Sequence, residues 1–131
     1  MPAEFINPTT LCPTFGWTHV VATRGGRTMH ISGQVGIDAT GKVVGPDLRR
    51  QTEQAFENLR LALAAVGATF QNVVNTRLYV VGLKPEHVPI IREVRGRFIN
   101  PAQPPASTLV GVSALVGADW LIEIEATAHL E

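Results

Sequence analysis

The clearest alternation of apolar and polar residues lies near the end of the chain, over residues 120–127. Isoleucine and alanine fall on one side of this segment, while Glu123 and Glu125 fall on the other, because successive side chains of a strand point to opposite faces of a sheet. A segment rich in β-branched residues, 104–115, precedes it across a short turn around Gly117. The pattern predicts an antiparallel hairpin, with one face in the core and two carboxylates on the other.

A second hairpin is predicted near the start of the chain. Two strand-like segments, 17–24 and 27–34, flank Gly25-Gly26, a dipeptide suited to the positive φ angles of a two-residue turn. We expect this turn to place three pairs of residues opposite each other on one face: Trp17 and Gln34, His19 and Ser32, and Val21 and His30. Residues 1–15 contain three prolines and no hydrophobic period, so we expect them to be irregular.

Two helices are predicted between the hairpins. Asp47 can cap the first helix, apolar residues then recur every three or four positions, and Gly67 follows as a typical helix end. Alternation predicts a strand over residues 70–81. A second helix must hold Pro85 and Pro89 before or within its first turn, where a missing amide hydrogen costs little.

The predicted order is strand, strand, helix, strand, helix, strand, strand. A chain of 131 residues fits a single domain, 1–131, with a real core. Two helices can cover only one face of a sheet of this size. We therefore expect an α/β (α+β) fold with a mostly antiparallel sheet, helices on one face, and a second face that meets another copy. That second face is expected to carry Trp17, Val21 and Tyr79.

Composition narrows the possible partners. The chain has 11 basic and 11 acidic residues and no net charge, which disfavours binding to nucleic acid or to anionic lipid. The longest apolar stretch, 61–66, is too short to cross a membrane. A single cysteine, Cys12, cannot form an internal disulfide. We expect a cytoplasmic protein with no nucleic-acid or membrane partner.

Several short motifs resemble the RidA (YjgF) family of imine and enamine deaminases. They are Ile31-Ser32-Gly33-Gln34, Asn58-Leu59 ahead of Gly67, Asn72-Val73-Val74-Asn75-Thr76, and Leu121-Ile122-Glu123-Ile124-Glu125-Ala126. The resemblance runs over nearly the whole chain from about Gly16. It implies a chorismate-mutase-like α/β fold, a homotrimer, and ligand sites in the clefts between subunits.

The resemblance also implies a catalytic residue and a departure from the family pattern. Glu123 matches the glutamate that positions or activates the hydrolytic water. Typical deaminating members read Pro-Ala-Arg where this chain reads Pro105-Ala106-Ser107. A serine cannot replace the guanidinium that grips a substrate carboxylate, because it offers one hydroxyl and no charge. Arg92 replaces a family asparagine, and we expect it to supply the missing charge.

Other candidates would line the same cleft. Ser32 matches the family serine, Trp17 replaces a tyrosine of the cleft, and His19 is a candidate polar group of its wall. Ser107 and Thr108 are candidates to bind a ligand oxygen. The competing interpretations are structural.

Glu123 could instead pair with Arg77 or Arg95, and Arg92 could be a solvated helix residue. Glu125 lies on the same face as Glu123, and we expect it to form a structural salt bridge. His19 and His30 have no acidic or cysteine partner at a metal-site spacing, so no metal is expected.

The function favoured by the sequence is hydrolysis of a small imine or enamine by water held on Glu123. We expect the substrate either to differ from the usual amino-acid-derived imine or to be held through Arg92. Such a reaction needs no metal or organic cofactor, because a protonated imine is already activated towards water. The first alternative is a trimer that binds a metabolite without turning it over. An endoribonuclease or translation inhibitor is a third interpretation, which the neutral charge disfavours.

Overall fold

The computed structural model describes residues 3–131, and within them the chain forms six strands and two helices. The strands are β1 (Ala3–Ile6), β2 (Val20–Thr23), β3 (Arg27–Val35), β4 (Val73–Val81), β5 (Ala106–Val112) and β6 (Ile122–Leu130). The helices are α1 (Leu48–Ala65) and α2 (His87–Arg95). The predicted order is confirmed from β2 onwards, and β1 is an additional strand.

Four strands form the main sheet in the order β3-β6-β4-β5. β6 is antiparallel to both of its neighbours, while β4 and β5 are parallel and are joined by the crossover through α2. The predicted hairpin between segments 104–115 and 120–127 is therefore wrong. The alternate side chains of β6 that are apolar are almost fully buried. In the centre of the sheet this strand pairs with two neighbours, β3 and β4, whereas the predicted hairpin would have given it one.

The amino-terminal strands form a separate ribbon. β1 pairs with β2, so that Phe5 lies opposite Val21, and the prediction that residues 1–15 are irregular is wrong over Ala3–Ile6. The predicted pairing of β2 with β3 is also wrong, because β3 pairs with β6 and His30 lies opposite Thr127. Gly25 and Gly26 do adopt positive φ angles of 64° and 62°, so the turn and its two strands were predicted correctly, although the pairing of these strands was not.

The two helices pack on one face of the main sheet, as predicted, and enclose the core. Phe56 of α1 stacks on Phe98 with ring centroids 5.3 Å apart, over fully buried Leu78 and Ile124 of the sheet. The predicted cap is confirmed, since a carboxylate oxygen of Asp47 accepts a hydrogen bond from the backbone N–H of Arg50 at 3.0 Å. The fold is thus α+β, with helices on one side only.

A buried glutamine ties two loops to α1. Gln51 has no solvent exposure, and its amide nitrogen donates to the carbonyl oxygens of Gly45 and Asp119 at 2.9 and 3.0 Å. Its carbonyl oxygen accepts from the backbone N–H of Leu121 at 2.8 Å. The side chain therefore holds the loop before α1 against the loop that leads into β6.

The opposite face of the sheet has no helix over it. Glu123 and Glu125 of β6 lie on this open face, together with Arg77 and Tyr79 of β4. These side chains are half-buried by one another. Neither α1 nor α2 has the length and apolar character needed to cross a bilayer, and residues 3–131 contain no other α-helix.

Candidate functional site

The first part of the candidate site lies on the open face and is named here the acid corner: Glu123, Gly33 and Ser32. The register of β3 against β6 shifts between Ile31 and Gln34, which marks a β-bulge at the Ser32-Gly33 pair. The Glu123 carboxylate packs directly against the α-carbon of Gly33, where a methyl group would overlap it. The glycine is therefore needed so that the acid can lie across β3.

The Glu123 carboxylate has no ion-pair or hydrogen-bond partner within residues 3–131. Among residues 3–131, none forms an ion pair or side-chain hydrogen bond with its carboxylate, because the nearby cation, Arg77, pairs with Glu125 instead. Ser32, next to Gly33 at the bulge, is exposed. An unpaired, half-buried carboxylate is a suitable position for holding a water molecule.

Glu125 has the structural role that its position suggested. Arg77 Nε lies 2.9 Å from a carboxylate oxygen of Glu125, and the Tyr79 hydroxyl donates to the same oxygen at 2.5 Å. The Tyr79 hydrogen bond, and then the one from Arg77, hold the pKa of Glu125 below its ordinary value. The same hydrogen bond, with burial, raises the pKa of Tyr79. The prediction of a salt bridge for Glu125 is confirmed.

The second part of the site is a cavity of about 200 Å³ between α2 and the edge of the sheet, named here the arginine pocket. It adjoins a further cavity of about 370 Å³, with which it shares Phe15, Arg92 and Arg95. Its lining consists of two arginines, a hydroxyl, two aromatic rings and three aliphatic side chains: Arg92, Arg95, Ser107, Phe15, Trp17, Val88, Ile91 and Leu109. Such a lining suits a small anion with a hydrocarbon portion.

Trp17 is positioned by its neighbour Thr18. The Thr18 backbone N–H donates to the Pro105 carbonyl at 3.1 Å, and its hydroxyl donates to the Pro104 carbonyl at 2.5 Å. These bonds fasten the segment before β2 to the beginning of β5. His19 packs edge-on against Trp17, with ring centroids 4.6 Å apart, and its Nε2 bonds the Cys12 carbonyl. His19 thus supports Trp17 and does not line the cavity.

The two arginines of the pocket come from the last turn of α2. Arg95 is half-buried beneath Gly16, whose added methyl group would lie 2.6 Å from the guanidinium. Burial, and then the charge of Arg92, lower the pKa of Arg95. The Arg92 guanidinium lies 5.8 Å from the centroid of the Phe15 ring. Arg95 is a pocket residue that the sequence reasoning considered only as a partner for Glu123.

Comparison with known proteins now decides the family. The family described as Endoribonuclease L-PSP matches residues 9–130. The chain belongs to this family. It is 30% identical to the 2-iminobutanoate/2-iminopropanoate deaminase of Dermatophagoides farinae, over the full length of both chains. It is 34% identical to a RutC family protein of Pyrococcus horikoshii, over 84% of this chain and 85% of that one.

Solved structures agree with this assignment. A Rid-family protein of unknown function from Yersinia pestis is 44% identical, with a TM-score of 0.93 over 99% of this chain and 100% of that one. RidA from Psychrobacter is 28% identical, with a TM-score of 0.72 over 82% of this chain and 85% of that one. The RidA resemblance inferred from the motifs is confirmed, and so is the fold.

This Rid-family chain does not bring all the predicted site residues together. Ser107 aligns with Thr76, a buried residue on the helix side of the sheet, and the two hydroxyl oxygens lie 3.1 Å apart. Glu123 lies on the open face. The expectation that Trp17 lies on the open face is wrong, because Trp17 lines the arginine pocket with Ser107 and α2, apart from the acid of the same chain.

The remaining predicted residues divide between the two sides. Arg92 joins Trp17 and Ser107 in the arginine pocket, as predicted. Thr108 is exposed and aligns with Arg77 on the open face. The signal that could have found Arg95 is its spacing, because residues three apart on a helix lie side by side, and Arg92 was already a candidate.

Proposed function

We propose that this Rid-family protein hydrolyses small imines or enamines that carry a carboxylate. The observation that carries the proposal is the acid corner, where Glu123 has no ion pair in residues 3–131 and lies against Gly33. Relatives at least 30% identical are named 2-iminobutanoate/2-iminopropanoate deaminase, in Dermatophagoides farinae and in humans. Both the local chemistry and these names support hydrolysis of a carbon–nitrogen double bond.

The proposed reaction needs one base and one water molecule. Glu123 accepts a proton from the water as its oxygen attacks the carbon of the protonated imine, which forms a carbinolamine. The same proton then passes to the nitrogen. The carbon–nitrogen bond breaks as Glu123 accepts the hydroxyl proton of the carbinolamine, which leaves the carbonyl compound and ammonia. Glu123 returns this proton to the solvent, in place of the one that protonated the imine, so the net change is imine plus water to carbonyl compound plus ammonia. Every proton is accounted for by the water and the protonated imine, so no metal or organic cofactor is required.

We further propose that the site is completed between copies of the chain, in a homotrimer. The acid corner and the arginine pocket lie on opposite faces of one chain, so one small ligand can reach both only when different copies contribute them. The open sheet face supports association, because no helix covers it and Val110 at its edge is 40% exposed. In this arrangement the arginine pocket of one copy holds the carboxylate while Glu123 of its neighbour holds water.

The arginine pocket supports this choice of substrate. The guanidinium that is absent at Ser107 has a replacement within the same cavity, since Arg95 lines it beside Ser107. A half-buried guanidinium is a strong partner for a carboxylate, because both charges are partly shielded from water. Arg95 is therefore proposed as the residue that binds the carboxylate next to the imine carbon.

Ribonuclease activity, which the family description names, is less well supported by the charge distribution. Arg49 and Arg60 of α1, and Arg97 just after α2, each have a carboxylate within 2.8 Å. These pairs neutralise three of the cations that could contact phosphate groups along a nucleic acid. A gel shift with single-stranded RNA at several salt concentrations should show no salt-dependent complex.

The test is ammonia release from freshly generated 2-aminoacrylate, compared with the uncatalysed rate. Glu123→Gln should lower the catalysed rate by at least about 100-fold, the typical contribution of a general base. Glu86→Gln is the matched control, because Glu86 is exposed ahead of α2, and it should keep the full rate. A wild-type protein that does not exceed the uncatalysed rate, or an unimpaired Glu123→Gln variant, would refute the proposal.

A further inference from the structure

The arginine pocket contains two cations where one carboxylate needs only one. Arg92 and Arg95 are three residues apart on α2, which puts their β-carbons about 5–6 Å from each other. Both guanidinium groups border the same two cavities. Between residues 3 and 131, no carboxylate oxygen lies within ion-pair distance of either group. The pocket thus has two positive charges and no internal counter-ion.

Other arginines near the helices do have internal counter-ions. Arg49 and Arg97 both contact Glu93, and Arg97 also contacts Glu53. Arg50 of α1 has no ion pair among residues 3–131 either, but it is exposed and lines neither cavity. Two arginines without a counter-ion that line the same cavities point to a ligand as their counter-ion.

A favourable helix dipole does not account for the arrangement. Cations in the last turn of a helix are stabilised by its partial negative charge, and this term favours basic residues at that end. It does not require Arg95 to be half-buried beneath Gly16, beside a second guanidinium. Burial, and then the like charge of Arg92, lower the pKa of Arg95, because both disfavour its charged form. A ligand with two negative charges offsets the repulsion between the two guanidinium groups.

The remaining surface of the pocket suits the body of such a ligand. Val88, Ile91 and Leu109 form an apolar wall that can accommodate a short carbon chain. The Ser107 oxygen accepts a hydrogen bond from the Thr76 hydroxyl at 3.1 Å, so its own hydrogen remains available for a ligand oxygen. Arg95 is the half-buried guanidinium of the pocket, whereas Arg92 is exposed and lies over the Phe15 ring.

We infer that the pocket selects a dicarboxylate. Together with the hydrolase activity proposed above, on which this step rests, the selection makes the substrate a 2-imino dicarboxylic acid. Arg95 and Ser107 bind the carboxylate next to the imine carbon. Arg92 binds the second carboxylate, at the other end of a short hydrocarbon chain. A monocarboxylate leaves Arg92 without a counter-ion, and the pocket discriminates against it for that reason.

Isothermal titration calorimetry with stable 2-oxo acids tests the inference without turnover. The wild-type protein should bind 2-oxoglutarate at least about tenfold more tightly than 2-oxobutanoate, the difference expected for one charge-assisted interaction. Arg92→Gln should remove this preference and leave 2-oxobutanoate affinity unchanged. Arg95→Gln should weaken both ligands. Arg60→Gln is the control, because Arg60 pairs with Glu57 on α1, and it should change neither affinity.

Equal affinities of the wild-type protein for the two acids, or no binding of either, would overturn the inference. So would an Arg92→Gln variant that loses both ligands to the same extent, because Arg92 would then bind the only carboxylate. The outcome is separable from that of the proposed hydrolase. Dicarboxylate preference without ammonia release from any imine refutes the hydrolase alone, and ammonia release without the preference refutes the dicarboxylate assignment alone.

Discussion

Replacing the buried glutamine of α1 with leucine gives the sharpest test of how the loops around the sheet are held. Gln51→Leu keeps nearly the same side-chain volume and removes three hydrogen bonds. Two are donated to the carbonyl oxygens of Gly45 and Asp119, and one is accepted from the N–H of Leu121. Because Gln51 has no solvent exposure, no water is placed to replace its amide directly.

The expected loss follows from these three bonds. Each contributes about 1 kcal/mol net, and a buried donor left without a partner adds about 1–3 kcal/mol. Leucine offsets part of this through the burial of its own apolar surface, by about 1–2 kcal/mol. The two carbonyl groups also border a cavity of about 510 Å³ from which water can reach them. We expect a net loss of about 3 kcal/mol in the free energy of unfolding.

The loss should be measured by urea denaturation and by thermal unfolding, at one fixed protein concentration because association would raise the apparent stability. For a chain of this length, about 3 kcal/mol corresponds to a fall in Tm of about 10 °C. Gln71→Leu is the control, since Gln71 is exposed and its replacement should change Tm little. A loss below about 1 kcal/mol for Gln51→Leu would show that the three bonds do not stabilise these loops.

Three further predictions concern the site and its surroundings. Gly33→Ala should displace the Glu123 carboxylate, because the new methyl group overlaps it, and should lower ammonia release by about 100-fold; an unchanged rate would contradict this position of the acid. Thr18→Val removes the hydroxyl that donates a hydrogen bond to the Pro104 carbonyl. It should lower the free energy of unfolding, measured by urea denaturation, by about 1 kcal/mol, and it should weaken 2-oxo acid binding in calorimetry. The pKa of Glu125 is lowered in the folded chain by Tyr79 and then Arg77, so its stabilising contribution is present above the unfolded value of about 4.5 and is lost as pH falls through the folded pKa. Stability measured between pH 7 and pH 3 should therefore decrease more steeply in the wild-type protein than in Glu125→Gln, and parallel curves would show that the Glu125 contacts contribute nothing.

Local chemistry explains the predictions that were confirmed. The alternation of Ile122 and Ile124 with Glu123 and Glu125 identified both β6 and its open face, because the two-residue period of a strand is a property of the segment itself. The cap at Asp47 is likewise a contact between neighbours in sequence. The motif around Ser32 and Glu123 was sufficient to indicate the family and the acid of the candidate site.

Strand order depended on contacts that no local pattern contains. Segments 104–115 and 120–127 were each correctly predicted to be strands, yet β6 lies between β3 and β4. The neighbours of a strand depend on the apolar surface that the whole sheet buries, which the pattern of a single segment does not contain. β1 was missed for the same reason, because a strand of four residues is too short to show a period and is stabilised by its partner β2.

The sequence by itself determined the elements from β2 onwards and the family, and it identified Glu123 as the candidate acid, since these follow from periodicity and short motifs. Tertiary structure alone decided which side of the sheet each candidate occupies. Residues adjacent on β5, such as Ser107 and Thr108, face opposite sides, and only the parallel register with β4 shows which one joins α2. Arg95 became a pocket residue through the same long-range packing, because Gly16 lies 79 residues before it and covers its guanidinium.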